Sequence, residues 1–288
     1  MYDTVPQSLQ ELIDRVAQAR TTRTPLRIRG GGSKDFYGER LAGEVLDTRG
    51  HSGIVAYEPS ELYVTARCGT PLAELEAVLA EKGQCLAFEP PHFGGQATVG
   101  GMVAAGLSGP ARACVGGVRD YVLGLQLING KAEHLTFGGQ VMKNVAGYDV
   151  SRLVAGSLGL LGLITEVSLK VLPRASAEAT LRFHLDEASA INQLNTWAAQ
   201  PLPLNASSWV VDAGQPTLYL RLRGAVAAVA SACERMQAQH GGKRVDSPET
   251  SADWTAARDL QLPWFTEGFA RGHHLWRLSV PQTTAPLN

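Results

Sequence analysis

The chain has 288 residues, a formal net charge of −1 and 44% hydrophobic residues. That is enough apolar material for two packed cores, and it excludes the basic footprint of a nucleic-acid binder. The four cysteines, Cys68, Cys85, Cys114 and Cys233, are too widely spaced for a CxxC pair or an iron–sulfur run and read as reduced, buried thiols. In chain order, residues 8–20 read as an amphipathic helix, with Ser8 and Glu11 as a capping box and Leu9, Leu12, Ile13 and Val16 on one face. Pro25 follows, and Leu26–Arg29 reads as a strand that delivers the chain into Gly30-Gly31-Gly32.

Short strands are expected at 44–47, 54–57 and 62–67. Thr70-Pro71 then reads as a cap and first turn for a helix whose Leu72, Leu75, Val78 and Leu79 face the core and which Gly83 stops. A second glycine-rich segment runs from Ala97 to Gly109. Val122–Ile128 and Ala132–Phe137, joined through Asn129-Gly130, read as a hairpin with a type I′ turn. Residues 148–155 read as a helix running into Gly156-Ser-Leu-Gly-Leu-Leu-Gly162, and 163–172 as a strand. This helix, glycine turn, strand order, with GxxGxxG spacing, is the reverse of a Rossmann fingerprint and excludes a nicotinamide domain of that kind. Gly124 to Lys131 fails as a P-loop because Ala132 stands where Ser or Thr is needed.

From Pro173 glycine thins out, and a separate domain is expected. It reads as strand 180–185, helix 187–199, strands 208–212 and 217–223, helix 225–240 and a final strand 275–280, a βαββαβ order. Gly241-Gly242 and residues 246–253 read as surface loops. The expected class is α+β, with a two-lobed domain over 1–175 and a smaller ferredoxin-like α+β domain over 176–288. The N-terminus lacks a basic and apolar leader, and no stretch approaches about eighteen apolar residues. A cytoplasmic protein, peripheral to a membrane only through partners, is expected.

The two glycine-rich segments suit a diphosphate, because consecutive glycines let backbone N–H groups converge on an anion without Cβ interference. Pro25–Lys34, Ala97–Gly109 and Gly156–Pro173 together resemble the three cofactor blocks of the FAD-binding oxidoreductases of the vanillyl-alcohol oxidase type, the PCMH fold. Within that superfamily, Lys143-Asn144 and Gly147-Tyr148-Asp149 are similar to the glycolate and D-lactate dehydrogenase branch, and Glu89–Gly95, Gly117–Gly124 and Phe137–Asn144 resemble the smaller flavin-binding subunits of bacterial three-subunit glycolate oxidases. The resemblance implies that Gly30, Gly31, Gly32, Ser33 and Lys34 line the pyrophosphate, that Thr98, Gly100, Gly101 and Gly106 face it, and that Gly162 and Ile164 approach the cofactor from the third block. Covalent relatives often carry a histidine where this chain has Ser33, which implies noncovalent FAD. It also implies glycolate oxidation within a complex containing a larger FAD-binding glycolate oxidase subunit and an iron–sulfur subunit. Two other readings stay open: a self-sufficient dehydrogenase of D-lactate or another 2-hydroxy acid, and a non-catalytic assembly subunit.

Two departures stand against the family pattern. Leu158 replaces a glutamate typical of the larger subunit, and the chain stops at Asn288, before the C-terminal segment that in relatives returns to the flavin domain. Oxidising a 2-hydroxy acid needs a base for the hydroxyl proton and a cation for the carboxylate. His92, Lys143, Tyr148, Arg152, His273, His274 and Arg277 are the candidates, and none is assigned as catalytic. Adjacent histidines on a strand point to opposite faces, so His273-His274 is not read as a metal site. Trp197, Trp209, Trp254 and Trp264 read as core and interface.

Overall fold

The computed structural model describes residues 6–38, 40–139, 147–245 and 247–287, which divide into two compact units. The first holds Met1–Ser108 and Gly117–Arg174, and the second holds Gly109–Gly116 and Ala175–Asn288. In the first unit, α1 (Gln7–Thr22) buries Leu9, Leu12 and Ala19 and ends at Arg23 in the left-handed region. The capping box expected at Ser8 does not form. Pro6, with its fixed φ, starts the helix one residue earlier without a side-chain cap, and Ser8 lies inside it. The Ser8 hydroxyl instead meets His51 Nδ1 at 2.8 Å.

A parallel pair, β1 (Leu26–Arg29) and β2 (Glu44–Asp47), follows α1. Then come β3 (Ile54–Glu58), β4 (Tyr63–Arg67), α2 (Leu72–Glu81), the short β5 (Gln84–Cys85) and α3 (Val99–Ala105). Thr70 does not cap α2. Pro71 takes the cap position, and the Thr70 hydroxyl accepts from Gly53 N at 2.9 Å and donates to Gly53 O at 3.1 Å. The chain continues through α4 (Arg112–Val115), β6 (Val122–Ile128), β7 (His134–Gly138), α5 (Val150–Val154), β8 (Leu163–Lys170) and β9 (Leu172–Pro173). Strands β3-β4-β8-β6-β7 form one antiparallel five-stranded sheet, and β5 pairs with β9.

Helices α2 and α3 bring Leu72, Leu75, Leu79, Val99, Met102 and Val103 into one core with Val64, Ala66, Val167 and Leu169 of the sheet. The contact is close enough that a Cβ on Gly100 would lie 2.5 Å from Cys68 Cβ. The other side of β4, β8 and β6 is polar, with Thr65 and Ser168 hydroxyls 2.8 Å apart and Gln126 donating to Glu166 at 3.1 Å. This is the two-faced pattern of an antiparallel sheet.

The β6–β7 hairpin exists, but its turn is not type I′. Gly130 is not in the left-handed region, whereas Ala132 is, with φ 63°. Ala132 N reaches Asn129 O at 3.0 Å, and Asn129 Oδ1 accepts from the backbone of Lys131 and Glu133. The asparagine side chain fixes a longer turn and relieves Gly130 of the positive φ.

His51 is 3% exposed, and its pKa is pushed down to about 4 by burial, with Arg67 and His134 adding positive charge nearby. It is therefore neutral in the fold at pH 7. Unfolded, it takes up a proton near the ordinary 6.5, so folding stability should decline as pH falls from that value toward about 4 and not further on this account. Urea unfolding at pH 7 and pH 4.5 should show the decline, and His51→Gln should flatten it.

The second unit contains β10 (Ala177–His184), α6 (Glu187–Ala198), β11 (Leu204–Asp212), β12 (Gln215–Gly224), α7 (Val226–His240), β13 (Lys243–Arg244), α8 (Pro248–Arg258) and α9 (Pro263–Ala270). Its sheet runs β11-β12-β10-β13, all antiparallel, so the expected βαββαβ order is present with a different last strand. Lys243–Arg244, immediately after the Gly241-Gly242 turn, takes the edge beside Leu181 and Arg182. Residues 273–280 have no regular structure, and Trp276 is 82% exposed. The stretch expected as a loop at 246–253 instead opens α8, which Ser247 caps by accepting from Thr250 N.

The core packs Trp197 of α6 and Val229, Ala232, Cys233 and Met236 of α7 on Leu181, Leu218, Leu220 and Leu222. Arg221 is buried at 2% exposure, donates to Asn205 Oδ1 at 2.7 Å and stacks 4.9 Å from the Trp254 ring. The inserted helix α4 packs on β11, with Ala111 before it fully buried. Cys114 on this helix is exposed, contrary to the expectation of buried thiols, because it lies on the outward side of a one-turn helix; Cys68 and Cys233 are buried. Among the described residues, no helix is long and apolar enough to cross a membrane.

Candidate cofactor site

A cleft of about 350 Å³ opens in the first unit between the loop after β1, the start and inner face of α3, and the turn at 158–160. It exists because a β-strand is followed by three glycines. Gly30 and Gly31 have no room for a side chain: a Cβ on Gly30 would overlap the Thr98 hydroxyl, and one on Gly31 would overlap the Gln96 carbonyl oxygen. The two glycines thus let the loop mate directly with the segment that enters α3. Thr98 caps that helix by accepting from Gly101 N at 3.3 Å. Thr98→Ala should lower stability by about 1 kcal/mol, measurable as a shift in the urea midpoint.

Arginines two apart on a strand project to the same side, and Arg27 and Arg29 of β1 meet a single acceptor. Arg27 Nη2 and Arg29 Nε reach Asp35 Oδ2 at 2.6 and 2.8 Å. Burial raises the Asp35 pKa, but hydrogen bonds and charge from Arg29 and Arg27 outweigh it and hold the carboxyl below its ordinary range. Gly32 turns with φ 73° directly against Arg29, whose guanidinium fills the space a side chain would need. Lys34 Nζ lies 3.3 Å from Ser33 Oγ and 5.5 Å from the Phe93 ring centroid, and Phe36 meets Phe93 edge-on. Among the described residues, the charged ones lining the cleft are Arg27, Arg29, Lys34 and Arg40 against Asp35, four cations and one anion.

Of the residues expected at the cofactor, Gly30, Gly31, Gly32, Ser33, Lys34, Thr98 and Gly101 line this cleft. Gly100, Gly106, Gly162 and Ile164 are not brought to its lining. Gly100 packs on Cys68, Gly106 ends α3 in the left-handed region against Gly156, and Gly162, with φ 141°, fits beneath Ile128 O. The Ile164 side chain is 6% exposed within the core. Leu158 lines the cleft and adopts φ 53°, a conformation that costs a residue with a Cβ roughly 1–2 kcal/mol.

None of the described candidates for proton transfer lines this cleft. His92 Nε2 pairs with Glu76 of α2 at 2.8 Å. Tyr148 is 96% exposed, and Arg152 pairs with Asp149, the residue that caps α5. Helix α5 is shorter than the expected 148–155 because that cap sits one residue inside the predicted start. His273, His274 and Arg277 are exposed in the second unit. Lys143 lies outside the described residues. Among the described residues, no group of three or more His, Cys, Asp or Glu is placed to hold a metal ion.

The Arg27–Asp35–Arg29 contact was missed in reading the sequence. Its signal was available: two arginines at i and i+2 on the strand feeding a glycine loop, with an acidic residue just after the loop. The groups present are suited to a diphosphate: a cleft with net positive lining and a loop whose backbone can approach an anion directly.

A family model described as an FAD binding domain matches residues 3–150. The glycolate oxidase subunit GlcE of Escherichia coli (strain K12) is 46% identical over 278 residues, covering 96% of this chain and 75% of that protein. The glycolate oxidase subunit GlcD of Bacillus subtilis (strain 168) is 30% identical over 197 residues, covering 62% of this chain and 41% of that protein. A D-lactate dehydrogenase of Archaeoglobus fulgidus is 30% identical over 59% of this chain and 38% of its own. Among solved structures, an alkyldihydroxyacetonephosphate synthase superposes with a TM-score of 0.69 at 17% identity, covering 93% of this chain and 59% of that one. At that identity the likeness speaks for the fold alone.

Proposed function

The chain belongs to the FAD-binding domain family and, within it, to the family of glycolate oxidase subunit GlcE, and from that premise we propose that it is the FAD-binding subunit of a complex that oxidises glycolate to glyoxylate. The 46% identity to GlcE across 96% of the chain carries the substrate and the complex. The cleft carries the cofactor's place. Gly30–Lys34, Thr98 and Gly101 hold the diphosphate, Arg27, Arg29, Lys34 and Arg40 balance its charge, and Ser33 offers no covalent attachment of the kind a histidine gives. When bound, FAD supplies the two-electron acceptor for alcohol oxidation.

This chain's own residues bind and orient the cofactor. Among the described residues the cleft has one carboxylate, Asp35, which two arginines hold ionised and which is a weak base. No histidine lines the cleft among the described residues. Removal of the hydroxyl proton therefore falls to a group outside this cleft, and the larger flavin subunit of the complex is the natural supplier. Electrons leave through an iron–sulfur subunit, since this chain's four cysteines are dispersed along the sequence and lack the spacing of a cluster.

Purified alone, the chain should take up FAD and regain a flavin absorbance band while turning over little glycolate with an artificial acceptor. Activity should appear when the larger flavin subunit and the iron–sulfur subunit are added. Turnover by the chain alone, with D-lactate or glycolate, would favour a self-sufficient dehydrogenase. Full complex activity from a chain stripped of flavin would favour an assembly role.

Among the described residues of the cleft, four cations against one anion make the binding electrostatically assisted. FAD affinity should therefore weaken between 50 and 500 mM salt, by roughly tenfold on the scale of screening in a partly open cleft, as read by quenching of flavin fluorescence. Riboflavin, which lacks the diphosphate, should show little salt dependence.

A further inference from the structure

We propose that Asp35 is a positioning residue for the diphosphate: its Oδ2 holds the Arg27 and Arg29 side chains on the cleft wall and braces the glycine loop between them. This rests on the reading of the cleft as the FAD site and assigns a role to a residue outside the glycine motif.

The argument starts from the loop's weakness. Three successive glycines have more conformational freedom to lose on ordering than any other tripeptide, so a loop that gains access to an anion through glycine is poorly fixed by its own backbone. Arg29 is the last residue of β1, and Asp35 lies on the far side of Gly30–Lys34. The Arg29–Asp35 bond at 2.8 Å closes a chord across the loop and anchors its exit to the end of a strand. Arg27, two residues earlier on the same strand face, reaches the same oxygen at 2.6 Å. Each arginine spends a single named nitrogen on Asp35, Nη2 of Arg27 and Nε of Arg29. A guanidinium has five N–H donors in a fixed fork, so both keep donors suited to phosphate oxygens. Both line the cleft.

A carboxylate in an anion site has two opposed effects, and the sign of the outcome separates them. Through space, its negative charge repels a diphosphate, so removing it should tighten binding. As a brace, it confines two flexible cations and a glycine loop, and removing it should weaken binding because the ordering must then be made at the moment of association. Two hydrogen-bonded arginines and the loop geometry point to the second effect as the larger.

The test uses the full chain and two probes, FAD by fluorescence quenching and ADP by competition. Asp35→Asn is expected to weaken both by roughly tenfold or more and to leave riboflavin binding unchanged. Arg29→Met should weaken them further, since it removes a cation of the cleft as well as the brace, and the double variant should lose little beyond Arg29→Met alone, because the brace is already gone. Asp35→Glu should recover part of the loss. Unchanged or tighter FAD and ADP binding by Asp35→Asn overturns the proposal. A wild-type chain that binds neither FAD nor ADP instead overturns the reading of the cleft, and the two failures are distinct. If Asp35→Asn does not fold, Arg29→Lys, which keeps the charge and lacks the fork, replaces it: wild-type affinity for ADP would then count against the brace.

Discussion

Gly31→Ala is expected to leave the chain without bound FAD. The added methyl would overlap the Gln96 carbonyl oxygen, a backbone atom that cannot turn aside as a side chain does. The segment containing Gln96 leads into the Thr98 cap and α3, so the loop and not the helix has to yield. Displacing the loop separates the two walls that hold the diphosphate. Overpacking of this kind costs about 3 kcal/mol or more at its severe end, which corresponds to a loss of at least about a hundredfold in affinity. Gel filtration in FAD-containing buffer, followed by the ratio of flavin to protein absorbance, checks it. Circular dichroism should remain that of a folded chain. A variant with wild-type flavin content would mean that the cofactor does not use this cleft. In the assembled complex the same variant separates a working flavin from a vestigial one, because an assembly subunit would tolerate its loss.

The second large effect lies in the other unit. Trp197 is 1% exposed, with its ring 5.0 Å from Phe183 and 5.3 Å from His240. Trp197→Ala should destabilise that unit by about 3–5 kcal/mol, a large share of an ordinary stability of about 5–15 kcal/mol. Trp197→Phe should be far milder, within about 1 kcal/mol, for a reason specific to this site. The indole Nε1 is buried without a hydrogen-bond partner among the described atoms, and deleting an unsatisfied donor offsets part of the lost volume. Urea unfolding followed by tryptophan fluorescence distinguishes the two. Because every residue lining the cleft lies in the first unit, FAD affinity should survive Trp197→Phe intact. A Phe variant as damaged as the Ala variant would show that the indole nitrogen has a partner in solution.

Much of this was legible in the sequence, and the parts that were not share physical causes. Strand β1 and the glycine loop could be read because each rests on local chemistry, strand alternation and glycine permissiveness, whereas the cap that Thr98 gives α3 was not read. Ser8 and Thr70 looked like helix caps by the same local rules. Their hydroxyls were claimed by His51 and Gly53, distant in sequence, and no local pattern reports such competition. The last strand of the second sheet failed for a similar reason. The alternation in Leu275–Val280 is a sound strand pattern, but the sheet edge it would have filled is taken by two residues, Lys243 and Arg244, that follow a glycine turn and carry no hydrophobic signal. Gly130 shows the reverse case. An Asn-Gly dipeptide usually marks a two-residue turn, yet Asn129 uses its side chain to close a longer one. In the cleft, the glycines could be placed from the loop pattern, whereas Asp35 was passed over because its contacts with Arg27 and Arg29 depend on the strand geometry and not on the glycine motif.

The passage of Gly109–Gly116 into the second unit, with Ala111 buried there and α4 against β11, has a consequence for how the chain can be divided. A single cut after Arg174 does not yield two self-contained pieces. The upstream piece would carry an eight-residue internal segment cut off from its packing surface, and the downstream piece would present β11 stripped of its cover. The two units are therefore stitched together by sequence order itself. An ancestor could not have gained or shed the second unit by simple fusion or loss at one end without also rebuilding this internal stretch, and modular exchange of caps among relatives would have to respect both seams.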